Sequence, residues 1–183
     1  MTDPAAVFTP VWVIDAMCPS HFARAERLDV LRDLLLDKEC WTTRVVLEEI
    51  RRGVIAYPAL NDVLVADWFR VAQLDTLNEI GCFARWVNRL GSGERDLGEA
   101  SVFAAAELRS ATAITDDPAA VRVARTYGLD VHGTIWVLAN ACRDGKLTET
   151  AAGNLIDALR ATGLRLPCTG AEFPAYARQY RLL

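Results

Sequence analysis

A chain of 183 residues, 52% hydrophobic and 24% charged, is sized for a single domain over residues 1–183 with a substantial core. Apolar runs such as Val11 to Ile14 and Ala111 to Ile114 fall far short of the roughly 20 residues needed to cross a bilayer. Met1-Thr2-Asp3-Pro4 has no secretory character, so a cytoplasmic protein without membrane association is expected, and a net charge of −4 excludes one that grips nucleic acid over its whole surface.

Val11-Trp12-Val13-Ile14 is a short β-branched run that reads as a doubly buried strand ending directly in Asp15. From Phe22 to Leu36 the spacing of Leu28, Leu31, Leu34 and Leu35 predicts a helix, and Thr42 or Thr43 caps a second helix that stops at Gly53. Trp68 to Leu74 reads as the next strand, and Thr76 to Leu90 as a helix. After the glycine-punctuated loop Gly91-Ser92-Gly93, a helix is expected from Leu97 to Arg109 and a strand from Ala111 to Thr115, ending in Asp116-Asp117. Pro118 opens a helix that Gly128 terminates, Leu129-Asp130-Val131 reads as a fourth strand, and Thr134 to Cys142 and Thr148 to Ala161 as helices. Beyond Pro167 no period is evident, so that segment either packs back on the domain or meets a partner. Strands alternating with helices imply an α/β fold with a parallel, helix-covered sheet.

Cys18, Cys40, Cys82, Cys142 and Cys168 are odd in number and scattered, which predicts free, mostly buried thiols. With only His21 and His132 present, a histidine-based zinc site is hard to assemble. The cations are nearly all arginine, with lysine only at 38 and 146, a bias that fits genome composition first and phosphate recognition second.

Carboxylates therefore carry the chemistry. Ligands of open α/β sheets bind at the carboxyl ends of strands, where Asp15 and Asp116-Asp117 stand, although each also fits the plainer role of capping the element that follows. In the helix from Thr43, Val45, Val46, Leu47 and Ile50 mark the inward face. Glu49 lies at its edge, whereas Glu48 points outward beside Arg44, Arg51 and Arg52. Glu99 has Val102, Phe103 and Ala106 on its own stripe, a place costly for a carboxylate unless it binds a cation or merely serves the helix dipole in the first turn. Glu94 and Asp96 are weaker candidates for the same role. Acids from four segments meeting at one sheet end would suit a hard divalent ion, Mg²⁺ or Mn²⁺, and hence phosphodiester hydrolysis.

These residues resemble the PIN-domain ribonucleases, in particular the branch similar to toxins of toxin–antitoxin pairs. The likeness rests on Val13-Ile14-Asp15-Ala16, Val46-Leu47-Glu48-Glu49-Ile50-Arg51-Arg52-Gly53, Gly98-Glu99-Ala100-Ser101-Val102-Phe103, Ala113-Ile114-Thr115-Asp116-Asp117 and Gly133-Thr134, in that order. It implies a three-layer α/β/α sandwich with a short parallel sheet, its core over about residues 11–147 and a C-terminal helix and tail over 148–183. It also implies metal-dependent RNA cleavage, a homodimer and inhibition by an antitoxin. Carried over by position, Asp15, Glu49, Glu99 and Asp117 form the metal-binding set, Asp116 is the alternative to Asp117, and Thr134 supports the site. Met17-Cys18-Pro19-Ser20 and Trp136 depart from the family pattern. A catalytically inactive PIN-like binding or regulatory module is the competing expectation. A phosphate loop at Gly91-Ser92-Gly93-Glu94 is discarded, because the lysine and hydroxyl pair it needs are missing.

Overall fold

The computed structural model describes residues 9–91 and 96–183. Met1-Thr2-Asp3-Pro4, Ser92-Gly93 and Glu94 lie outside the described residues. Along the chain run β1 (Val11–Ile14), α1 (Met17–Arg24), α2 (Leu28–Leu35), β2 (Glu39–Thr43), α3 (Arg44–Gly53), a 3₁₀ turn (Pro58–Leu60), α4 (Asn61–Leu64), β3 (Arg70–Ala72), α5 (Leu77–Leu90) and α6 (Leu97–Arg109). There follow β4 (Thr112–Ile114), α7 (Pro118–Thr126), β5 (Val131–His132), α8 (Thr134–Arg143), α9 (Glu149–Ala161) and α10 (Phe173–Gln179). The strands form one sheet in the order β3-β2-β1-β4-β5, and every pairing is parallel. This is the α/β sandwich that the sequence predicts.

Three elements differ from expectation. β2 was not anticipated, yet it pairs with both β1 and β3. The helix expected from Phe22 to Leu36 is broken, because the Arg27 N–H reaches back to the Phe22 carbonyl at 2.8 Å with Glu26 in the left-handed region at φ 57°. That is a Schellman stop at a position where glycine is the usual occupant, and glutamate gives no warning of it. The fourth expected strand is displaced by two residues, to Val131–His132.

Alternation along β1 sends Trp12 and Ile14 to one face of the sheet and Val13 and Asp15 to the other. On the first face Trp12 meets Trp136 of α8, with ring centroids 5.1 Å apart. On the second, α6 lies over β1, β2 and β4, with α5 packed against it. Residues Ala100 to Ala106 of α6 are all buried, and Ala100, Ala104, Ala105 and Ala106 carry only a methyl group, so backbone and sheet approach closely. Phe22, Phe103, Trp86 and Leu138 are among the large side chains removed from water, each contributing about 1.5–3 kcal/mol. The terminal segment packs back: Phe173 and Ala177 of α10 are buried, and α10 rests on α9. Gly153 and Gly170 make that approach possible, since a Cβ at Gly153 would stand 2.7 Å from the Gly170 carbonyl oxygen. All five cysteines are free, and only Cys142 is more than marginally exposed. No helix among the described residues is long and apolar enough to cross a membrane.

Candidate active site

At the carboxyl ends of the central strands β1 and β4 the parallel sheet delivers Asp15 and Asp116-Asp117. Asp15 is 2% exposed. Burial pushes its carboxyl up from 3.8 to about 6, and the charge of Asp116 adds to that, against the Ala16 and Met17 backbone and the Thr115 hydroxyl. Thr115 Oγ1 donates to Asp15 Oδ2 at 3.3 Å.

Glu49 and Glu99 come from α3 and α6, which a buried hydroxyl relay ties to the sheet. Thr43 Oγ1 accepts from the Val46 N–H at 3.1 Å, capping α3. It also lies 2.6 Å from Ser101 Oγ, and Ser101 in turn donates to the Gly98 carbonyl at 2.7 Å. Because Ser101 spends its proton on Gly98, Thr43 is the donor between the two hydroxyls. The relay holds the start of α6 against the start of α3. At that crossing Gly98 leaves room for the Glu49 carboxylate, and a Cβ there would stand 2.6 Å from Oε2. The expected helical phase holds: Glu48 is exposed and pairs with Arg51 at 2.6 Å, whereas Glu49 is half-buried. Burial raises the Glu49 carboxyl, the Asp15 charge adds to the rise, and Arg52 and the Gly98 backbone oppose it.

Glu99 sits in the first turn of α6, where the helix dipole would favour its charge. The opposite shift prevails. Burial, then Asp15, lifts it to about 8, with Glu49 and Asp117 adding to the rise, and only the backbone at Glu99 itself pulling down. The Asp15 charge raises both Glu49 and Glu99, so ionisation of one carboxyl opposes ionisation of the others. Among the described residues none of the five acids makes an ion pair, so only Arg52 nearby tempers their mutual repulsion.

The two remaining aspartates divide their labour. Asp116 accepts from the Thr134 N–H at 2.8 Å and from Thr134 Oγ1 at 2.5 Å, which pins the start of α8. Asp117 Oδ1 accepts from the Ala119 and Ala120 N–H groups, each at 2.7 Å, and so caps α7. The capping role is real for Asp117, yet its charge still reaches Glu99. Cys18, from the irregular stretch after Asp15, is buried with its thiol beside Asp116, Thr134 and Asp15. Trp136 stacks on His132 with centroids 4.0 Å apart, on the sheet face opposite Asp15. Thr43, Gly98, Ser101 and Thr115 are the positioning residues that sequence reasoning missed. Only Thr43 carried a signal, as one of two possible caps.

The oxygen-only donor set fits a hard divalent cation. Among the described residues no three His, Cys, Asp or Glu side chains converge into a ready cage.

A parallel sheet of this order, covered by helices on both faces and carrying acids at its carboxyl edge, defines an α/β sandwich class. The sequence pattern of a PIN-domain family, DUF3368, matches residues 11–171, and the chain belongs to that family. Among solved structures, a chain of VapBC2 from Rickettsia felis, bound to a DNA fragment from their promoter, is similar in fold at 13% identity and a TM-score of 0.50. The likeness covers 67% of this chain and 98% of that one. No curated protein matches the sequence.

Proposed function

We propose that this protein is a metal-dependent endoribonuclease that hydrolyses RNA phosphodiester bonds, with Asp15, Glu49, Glu99 and Asp117 holding Mg²⁺ or Mn²⁺. The observation that carries this reading is the gathering of acids from four separate segments at one sheet end, where burial and their mutual charge lift Asp15 to about 6 and Glu99 to about 8. Burying such repelling carboxylates together is costly unless a cation occupies the space between them. The bound ion would polarise the phosphoryl group and acidify the attacking water.

The chain's own residues do the rest. Asp15 is fixed by Thr115, Glu49 is seated in the gap left by Gly98, and Glu99 is carried on the immobile start of α6. Asp116 with Thr134 keeps α8 against the site, and it remains the alternative to Asp117 as the fourth ligand. We further propose that the protein acts in the cytoplasm, as a homodimer, and as the toxin of a toxin–antitoxin pair. The exposed apolar side chains Ile55, Tyr57 and Val65 supply surface for a protein partner.

The test is cleavage of single-stranded RNA with Mn²⁺, with Mg²⁺ and with EDTA. The expected result is cleavage with metal, none with chelator, and loss in Asp15→Asn. A folded protein that cleaves nothing under any condition would favour the competing reading, a PIN fold kept as a binding or regulatory module.

A further inference from the structure

Beyond the acids, a cavity of about 420 Å³ opens beside Asp116, within the size range of small-ligand clefts. Its lining includes the stacked pair His132 and Trp136, the rings of Tyr176 and Tyr180, and the guanidinium-bearing Arg125. Tyr176 and Tyr180 stand one helical turn apart with ring centroids 4.5 Å from each other, and Tyr180 is 57% exposed. Asp116 also lines it and is followed directly by Asp117 at the carboxyl end of β4, so the cavity opens at the same sheet edge as the carboxylates, on the face opposite Asp15.

Three features narrow the occupant. Aromatic faces at this density suit a flat π-system, because base–aromatic stacking tolerates any base. Arg125 adds a guanidinium to the lining, and although its Nη2 donates to the Val131 carbonyl at 3.2 Å, its other donors suit a phosphate attached to that base. The shared sheet edge at Asp116 would let a strand run from the carboxylates into the cavity. Tyr176 and Tyr180 lie beyond residue 171, where the family match ends.

We propose that this cavity is a base-stacking subsite that receives one unpaired nucleobase of the RNA strand, adjacent to the bond that is cut. The inference rests on the ribonuclease reading, and the experiment separates the two. The probe is a fluorescein-labelled single-stranded RNA dodecamer, measured by anisotropy in EDTA, together with versions carrying one abasic residue at each position in turn.

Wild-type protein is expected to bind the dodecamer and to lose about tenfold in affinity when one particular base is missing. Tyr180→Ala, at a largely exposed position, and Tyr176→Leu, which keeps apolar bulk, should each weaken the intact dodecamer by a similar factor. Neither variant should be sensitive to the abasic position, the non-additivity expected of groups in contact. Unchanged binding by both variants overturns the subsite alone. So does a shift from dimer to monomer in sedimentation with RNA affinity intact, which would make the surface an interface between copies. No binding of any RNA by the wild-type chain in EDTA overturns the subsite, whereas the ribonuclease reading stands or falls on cleavage with Mn²⁺.

Discussion

Replacing Asp15 by asparagine should stabilise the metal-free protein while abolishing cleavage. The native carboxyl is buried, and its displacement from 3.8 to about 6 means that holding it ionised costs about 3 kcal/mol of folding stability. The sign follows from proton counting. Between pH 3.8 and about 6 the folded state binds more protons at Asp15 than the unfolded state, so this contribution to stability falls as pH rises and stays low above pH 6. Asparagine has nearly the same shape, can still accept from Thr115, and carries no charge to be buried. At pH 8 the variant should therefore melt higher than wild type by roughly 5–10 °C for a domain of this size. The gain should shrink as pH falls from 6 to 4. Calorimetry of both proteins in EDTA across that range is the assay. A variant that melts lower than wild type at pH 8, or a gain that does not change with pH, would refute the reasoning that Asp15 is an electrostatically strained carboxylate.

Glu49→Gln should abolish cleavage and Glu48→Gln should leave it close to wild type, since Glu48 faces solvent with Arg51; steady-state rates on one RNA suffice to compare them. Gly98→Ala should lower kcat by an order of magnitude or more with little change in melting temperature, because the new methyl displaces the Glu49 carboxylate rather than a core side chain. Mn²⁺ at about 100 times its Kd should stabilise the wild type by about 2.7 kcal/mol, and Glu99→Gln should shrink the gain, as scanning calorimetry would read. Protons compete for the same oxygens, so apparent metal affinity should weaken as pH is lowered from about 8, where Glu99 begins to protonate; isothermal titration at several pH values tests this.

Much of the site can be read from the sequence because strand ends and helix phase are local properties. Val11–Ile14 ends at Asp15 in the structure as in the pattern, α6 spans Leu97–Arg109 as its spacing predicts, and the phase of α3 separates Glu48 from Glu49. β2 escaped notice because Glu39-Cys40-Trp41-Thr42-Thr43 is short and polar. Its burial alternates only in part, with Thr42 and Thr43 hidden through hydrogen bonds to Ile14 and Ser101 rather than through apolarity. α10 offers too few residues for a period, and its burial comes from Phe173 and Ala177 against a distant helix. The hydroxyl relay from Thr43 through Ser101 to Gly98 links residues 58 apart in sequence, a tertiary fact that no local pattern can hold. Which aspartate serves the cation is likewise a matter of three-dimensional partners: Asp116 is committed to Thr134 and Asp117 to the start of α7.

The alanine face of α6 fixes the gauge between helix and sheet. Methyl groups have no rotamers to exchange, so the separation is set by backbone contact and cannot be retuned by repacking neighbours. Glu99 rides on that same helix, which makes the spacing of the carboxylates a mechanical property of the scaffold rather than of the residues around them. Drift in this sequence is consequently least tolerable at positions that touch no ligand at all. A single added methylene at Ala104 or Ala105 would move the machinery bodily, without altering one of its parts.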